Sequence, residues 1–195
     1  MSLRTIRLAL WGLVLVAGAA LAVQQWTGRE KSAETLRPDF ALQDGKGQTY
    51  TMVDFRGKFS LVFFGFTNCP DVCPTTMSEV AQLMDDLGAK ADGVQPLFIS
   101  IDPERDRRQG LTEYVAAFHP AILGLAGNDA ATKDAADSFK VHFAREKDSS
   151  APNGYTMSHS SGLYLIGPDG EWLRQFAYET PAAEILADIE ERILP

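Results

Sequence analysis

Phe59-Ser60-Leu61-Val62-Phe63-Phe64-Gly65-Phe66, followed directly by Thr67-Asn68-Cys69-Pro70-Asp71-Val72-Cys73-Pro74, decides how this chain folds. The first segment is a nearly continuous apolar run bounded by Gly57 and Asn68, the pattern of a central strand buried on both faces. Beyond the second, Met77, Val80, Ala81, Met84 and Leu87 recur at helical spacing. Pro74 suits a first helical turn, where its missing N–H costs nothing. The stretch therefore reads strand, loop, helix, and it carries the only two cysteines of the chain, Cys69 and Cys73, where the helix begins. Residues four apart are neighbours on a helical turn, so the pair can close a disulfide or chelate one soft ion through two sulfurs. A helix N-terminus favours the thiolate, which is the reactive and metal-binding form. A purely stabilising bridge is the plainer alternative, but closing so short a loop removes little chain entropy from the unfolded state.

Upstream of this stretch, residues 40–42 and 48–52 read as a hairpin around the turn-forming Asp44-Gly45-Lys46-Gly47. Downstream, a second buried strand over 94–101, a helix over 111–118, a short strand over 123–126 and a helix over 130–139 alternate as parallel crossovers require. The tail changes character. A strand over 162–166, a Pro168-Asp169-Gly170 turn, a strand over 172–178 and a helix over 181–193 describe an antiparallel pair closed by a helix. The longest unpatterned stretch, 145–156, is of a length uncommon in loops without a function. Together these elements predict an α/β, thioredoxin-like fold over residues 36–195, with a central mixed β-sheet flanked by helices.

Residues 8–23 carry no charge and follow Arg4 and Arg7, so this segment is expected to meet a membrane with its basic flank on the cytoplasmic side and the rest exported. An exported thiol pair faces an oxidising compartment. Ala20-Leu21-Ala22 resembles a signal-peptidase site, while Trp26 suits the interfacial belt of a retained transmembrane anchor. The reading adopted is a single-pass anchor over 1–23, a polar tether over 24–35 and one domain beyond. The segment before the apolar run is too short for a basic transit peptide, which points to a bacterial inner membrane with the domain facing the periplasm. Residues 24–195 hold all 26 acidic groups against 16 basic ones, a formal charge of −10, which argues against nucleic acid as a partner.

Three segments go further: Cys69-Pro70-Asp71-Val72-Cys73-Pro74, Ser100-Ile101-Asp102-Pro103-Glu104-Arg105-Asp106, and His159 to Gly170 with Tyr164-Leu165-Ile166-Gly167-Pro168-Asp169-Gly170 at its end. They closely resemble the Sco family, also called SenC or PrrC, over residues 38–195. The spacing C-x-x-x-C, rather than the C-x-x-C of thioredoxin, and the lack of a proline between Pro152 and Pro168 agree with that resemblance. It implies a thioredoxin-fold copper metallochaperone that assists assembly of the dinuclear copper centre of cytochrome c oxidase. By the same resemblance Cys69, Cys73 and His159 are the ligands of one copper ion. The partner is a copper-receiving oxidase subunit or another copper chaperone. One position departs from the family pattern, which commonly has an acidic residue where Ser158 stands.

The chemistry of the residues agrees with this set. Soft thiolates select Cu(I) or zinc, and an added imidazole accommodates Cu(II) as well. Zinc fits the same three donors with an open fourth position. Met157, two residues before His159, shares its side of an extended segment and offers either a weak thioether contact or core packing. His119, before Pro120, reads as a helix-end cation, and His142 as a strand residue with a partly buried ring. Asp102, at the sheet edge where α/β folds place their ligands, either tunes the thiols and a docking partner or pairs with Arg105. Asp71 either raises the thiol pKa and favours a cation or is a solvated loop charge. A membrane-anchored thiol-disulfide oxidoreductase acting through Cys69 and Cys73 is the alternative to the metallochaperone, which is not itself an enzyme. A thiol peroxidase fits least, since Thr67 stands two rather than three residues before Cys69.

Overall fold

In the computed structural model the domain opens on a two-rung antiparallel ladder, β1 (Leu42–Gln43) against β2 (Thr49–Tyr50). Asp44 closes its turn by accepting the Lys46 and Gln48 N–H groups on one carboxylate oxygen, both at 2.9 Å. The structure describes residues 36–193 and the isolated positions 7, 11, 12, 17 and 18. Apart from those positions, the expected anchor over 1–23 and tether over 24–35 lie outside the described residues. Among the described residues no helix is long and apolar enough to cross a membrane.

β3 (Phe59–Gly65) is the middle strand of a five-stranded sheet. It runs parallel to β4 (Val94–Ser100), to which it is joined through α1 (Val72–Leu87). After β4 come α2 (Pro103–Gln109), α3 (Leu111–Ala116), the short parallel strand β5 (Leu123–Leu125) and α4 (Asp129–Ser138). Then β6 (Phe143–Lys147) and β7 (Tyr155–His159) pair with each other as a separate antiparallel sheet. β8 (Leu163–Ile166) returns beside β3, antiparallel, and carries β9 (Trp172–Phe176) at its outer edge before α5 (Ala182–Ile193) closes the chain. The order β5-β4-β3-β8-β9 is the mixed sheet flanked by helices that the sequence predicts.

Burial follows the apolar pattern. Every residue of β3 after Phe59 is buried, as a strand covered on both faces requires. Beyond the first turn of α1 the buried apolar side chains are Met77, Val80, Leu83, Met84 and Leu87, one stripe at helical spacing. Each such residue contributes about 1.5–3 kcal/mol when fully removed from water. Phe64, Phe139, Tyr164 and Trp172 interlock, with ring centroids 5.3 Å apart for Phe64–Phe139 and 5.0 Å for Tyr164–Trp172.

Two elements differ from the sequence reading. The unpatterned stretch 145–156 is in large part the β6–β7 hairpin, hidden from pattern reading because four of the five β6 residues are exposed and polarity does not alternate along it. Residues 103–109 form α2, although their composition is charged, because Arg105 and Asp106 are both buried and paired there.

Candidate metal centre

β3 aims the chain at the site. After it the backbone turns, the Cys69 N–H donating to the Phe66 carbonyl at 3.2 Å, and α1 begins one residue before Cys73. N–H groups of a first helical turn have no partner within the helix. That of Cys73 donates to the Cys69 sulfur at 3.3 Å, so the helix end itself stabilises negative charge on Cys69. Cys73 is fully buried and Cys69 half-buried, and both are free thiols. Gly65 makes the room for Cys73. A Cβ at Gly65 would stand 3.0 Å from the Cys73 sulfur, 2.8 Å from the Phe63 ring and 3.0 Å from the Phe98 ring.

The third donor comes from β7. Tyr155, Met157 and His159 alternate along one side of this strand, and His159 lies opposite Phe143 of β6. His159 Nδ1 lies 2.9 Å from the Ser160 carbonyl oxygen, which can only accept, so Nδ1 carries the proton. Nε2 is left with its lone pair, 3.7 Å from the Cys73 sulfur. Phe63 and Phe66 meet the imidazole edge-on, with centroids at 5.9 and 6.0 Å, and hold its plane. The two sulfurs and a ring nitrogen of His159 all lie within 4.8 Å of one another.

The two thiols are electrically unequal. The Cys73 S–H donates to the Cys69 sulfur, and chiefly through that bond the Cys69 pKa falls from 9.0 to about 4 against the opposing effect of burial. The backbone N–H groups of Asp71 and Cys73 lower it further. Cys73 is pushed up, because losing its proton would break the same bond and place a second buried negative charge beside the first. The metal-free pair is therefore one thiolate and one thiol sharing a proton, and a cation that replaces this proton meets two sulfurs and an imidazole. Soft, partly buried donors of this kind fit a single copper ion.

Two buried carboxylates tie the ligand-bearing segments to the sheet edge. Asp106 accepts the Thr67 N–H at 3.1 Å and hydroxyl at 2.8 Å on one oxygen, and the Ser100 hydroxyl at 2.6 Å on the other, fixing the turn before Cys69. Burial nonetheless pushes the Asp106 carboxyl up. Asp102 pairs with Arg105 Nε at 2.7 Å and accepts from the Tyr155 hydroxyl at 3.0 Å, on the strand that carries His159. Of the two readings of Asp102, the ion pair with Arg105 is the one observed.

The remaining candidates separate clearly. Asp71 is exposed, and it acts on Cys69 through its backbone N–H rather than its carboxylate. Met157 is buried on the inner side of β7 and packs against the core. His119 Nδ1 accepts the Ala121 N–H at 3.1 Å and its Nε2 lies 3.7 Å from Asp85, away from the thiols. His142 is exposed and precedes β6, which corrects the expectation of a partly buried strand residue. Ser158 faces outward, with its hydroxyl 3.2 Å from a Glu146 carboxylate oxygen. The sequence reading gave no role at the site to Gly65, Thr67, Asp106 or Tyr155, and named Arg105 only as the alternative partner of Asp102. For Tyr155 the alternation Tyr-x-Met-x-His was the available signal.

Comparison with known proteins agrees with this architecture. The family model for SCO1/SenC matches residues 28–194, and the chain belongs to that family. The SCO2-like protein of Rickettsia conorii is 40% identical over 149 residues, spanning 76% of this chain and 72% of that protein. The copper-bound structure of Bradyrhizobium japonicum ScoI superposes with a TM-score of 0.72 at 34% identity, covering 80% of this chain and 98% of that one. BsSco, described as a member of the Sco family of cytochrome c oxidase assembly proteins with a disulfide switch, gives a TM-score of 0.64 at 26% identity over 83% of this chain and 95% of that one.

Proposed function

We propose that this chain is a copper metallochaperone that binds one ion as Cu(I) or Cu(II) through Cys69, Cys73 and His159 and serves assembly of the dinuclear copper centre of cytochrome c oxidase. The observation that carries this reading is the convergence of the three donor groups within 4.8 Å. Two thiolates suffice for Cu(I), and the imidazole extends the site to Cu(II), as a carrier handling both states requires. Cys69 offers a ready thiolate on the half-buried side, and Cys73 yields its proton as copper arrives. The copper-bound ScoI structure and the membership of BsSco in a family of oxidase assembly proteins support the same cargo and destination. In this reading residues 1–23 anchor the chain in a bacterial inner membrane, the domain faces the periplasm, and the partner is a copper-receiving oxidase subunit or another copper chaperone.

A second reading is favoured by one observation: a half-buried thiolate with a buried thiol beside it also suits thiol-disulfide exchange with a partner protein. His159→Ala in the full chain separates the two. Metal delivery predicts that Cu(II) binding is lost, that Cu(I) is held less tightly, that the thiols still oxidise and reduce, and that oxidase assembly in cells fails. Normal assembly with His159→Ala, together with failure in Cys69→Ala and Cys73→Ala, would assign the function to the thiols alone.

A further inference from the structure

His159 reaches the thiols on a hairpin that shares no ladder with the central sheet among the described residues. Something other than strand pairing must set where that hairpin stands. Its inward residues answer the question. Tyr155, Met157 and His159 occupy one side of β7, at the two ends and middle of a run about 13 Å long. His159 ends at the thiols and Met157 in the core. Tyr155 ends at Asp102, its hydroxyl 3.0 and 3.2 Å from the two carboxylate oxygens.

This meeting point is built. Asp102 and Arg105 are each 2% exposed and form an ion pair at 2.7 Å. The Arg105 guanidinium lies 4.3 Å from the centroid of the Tyr155 ring and 5.6 Å from that of Phe66, one of the two rings that hold the His159 plane. Arg145 of β6 lies against the same Tyr155 ring at 4.3 Å and approaches Asp102 at 3.9 Å. Both strands of the hairpin thus meet one buried carboxylate. Burying such a pair gives little net stability compared with an apolar replacement, and its attested use is to fix one register among several. In a strand the register is decisive, because a slip of one residue turns every inward side chain outward, His159 included.

We propose that Asp102, Arg105 and Tyr155 form a latch that seats the β6–β7 hairpin in the register presenting His159 Nε2 to the thiols, which makes them positioning residues for the third copper ligand. The inference rests on the copper reading above. It implies an asymmetry between oxidation states: Cu(I) is retained by Cys69 and Cys73 alone, whereas Cu(II) depends on the seated imidazole.

The test uses the full chain with Tyr155→Phe, which removes only the hydroxyl, and Asp102→Asn, which removes the charge and keeps the shape. Cu(II) and Cu(I) affinities are measured for each by competition with chelators, alongside the thermal midpoint. The latch predicts Cu(II) affinity lowered about tenfold or more, the scale on which groups behind a ligand act. It also predicts a shifted thiolate-to-Cu(II) absorption band, with Cu(I) affinity lowered far less than that for Cu(II). Equal weakening of both ions would mark a purely structural role and overturn the latch, as would unchanged affinity for both. Should Asp102→Asn fail to fold, Tyr155→Phe decides alone. A native chain that retains neither ion would overturn the copper reading itself and the latch with it, an outcome distinct from a native chain that binds and variants that do not differ.

Discussion

Cys69 and Cys73 reach the site through a tight turn between a buried strand and the helix it feeds, whereas His159 arrives from 86 positions beyond Cys73 on a two-stranded ribbon outside the central sheet. The cysteine side is fixed by the backbone: a helix-start N–H holds one sulfur, and a glycine on β3 leaves space for the other. The histidine side is fixed by side chains, through the Tyr155 hydroxyl, the Asp102 carboxylate and two guanidiniums. A local ligand pair with a remote third ligand allows the two to be perturbed separately. Loss of the thiols removes the cation site, while loss of the imidazole changes which oxidation state is preferred.

The cysteine side should break hardest. Cys73→Ser replaces one of the two sulfurs by a weakly coordinating hydroxyl in a fully buried position, so copper retention after desalting should vanish. Retention equal to the native chain would mean that the ion is held elsewhere. Gly65→Ala comes next: its methyl group would intrude on the Cys73 sulfur and two phenyl rings, and overpacking of this kind costs about 1–3 kcal/mol. Denaturant melts should show that loss, and copper should bind more weakly; an unperturbed variant would mean that the strand shifts to accept the methyl.

A milder probe leaves the sequence intact. Because Cys69 titrates at about 4, the reduced, metal-free chain should be alkylated by iodoacetamide at a rate that is flat from about pH 5 upward and falls as pH drops through 4. An ordinary thiol would instead keep accelerating up to about pH 8.5. The smallest effect is expected at His142, which is exposed and outside the donor group; His142→Ala should leave copper affinity unchanged, and a clear loss would enlarge the site.

The same contrast explains what the sequence made legible. Phe59–Gly65 announced a doubly covered strand because burial on both faces leaves no polar alternation to confuse the pattern, and Met77 to Leu87 announced the helix behind the cysteines. The alternation of elements along the chain placed β4, β5, β8, β9 and the closing helix within a few residues of their observed bounds. The β6–β7 hairpin was not legible, since Phe143–Lys147 buries little and only Met157 of its partner strand is fully buried. Asp102 and Asp106 were visible as a motif but not as anchors, because their partners Tyr155 and Thr67 lie 53 and 39 positions away. Such pairing is decided by tertiary structure and leaves no local trace. The site itself became readable through the resemblance of three segments to a family, whereas spacing alone tied only the two sulfurs together.

The central claim is that this centre holds one copper ion per chain, and it is tested most directly by counting. The full chain, reduced under anaerobic conditions, titrated with Cu(I) and desalted, should retain about one equivalent per chain. Retention of no copper by the fully reduced, folded chain would contradict the account.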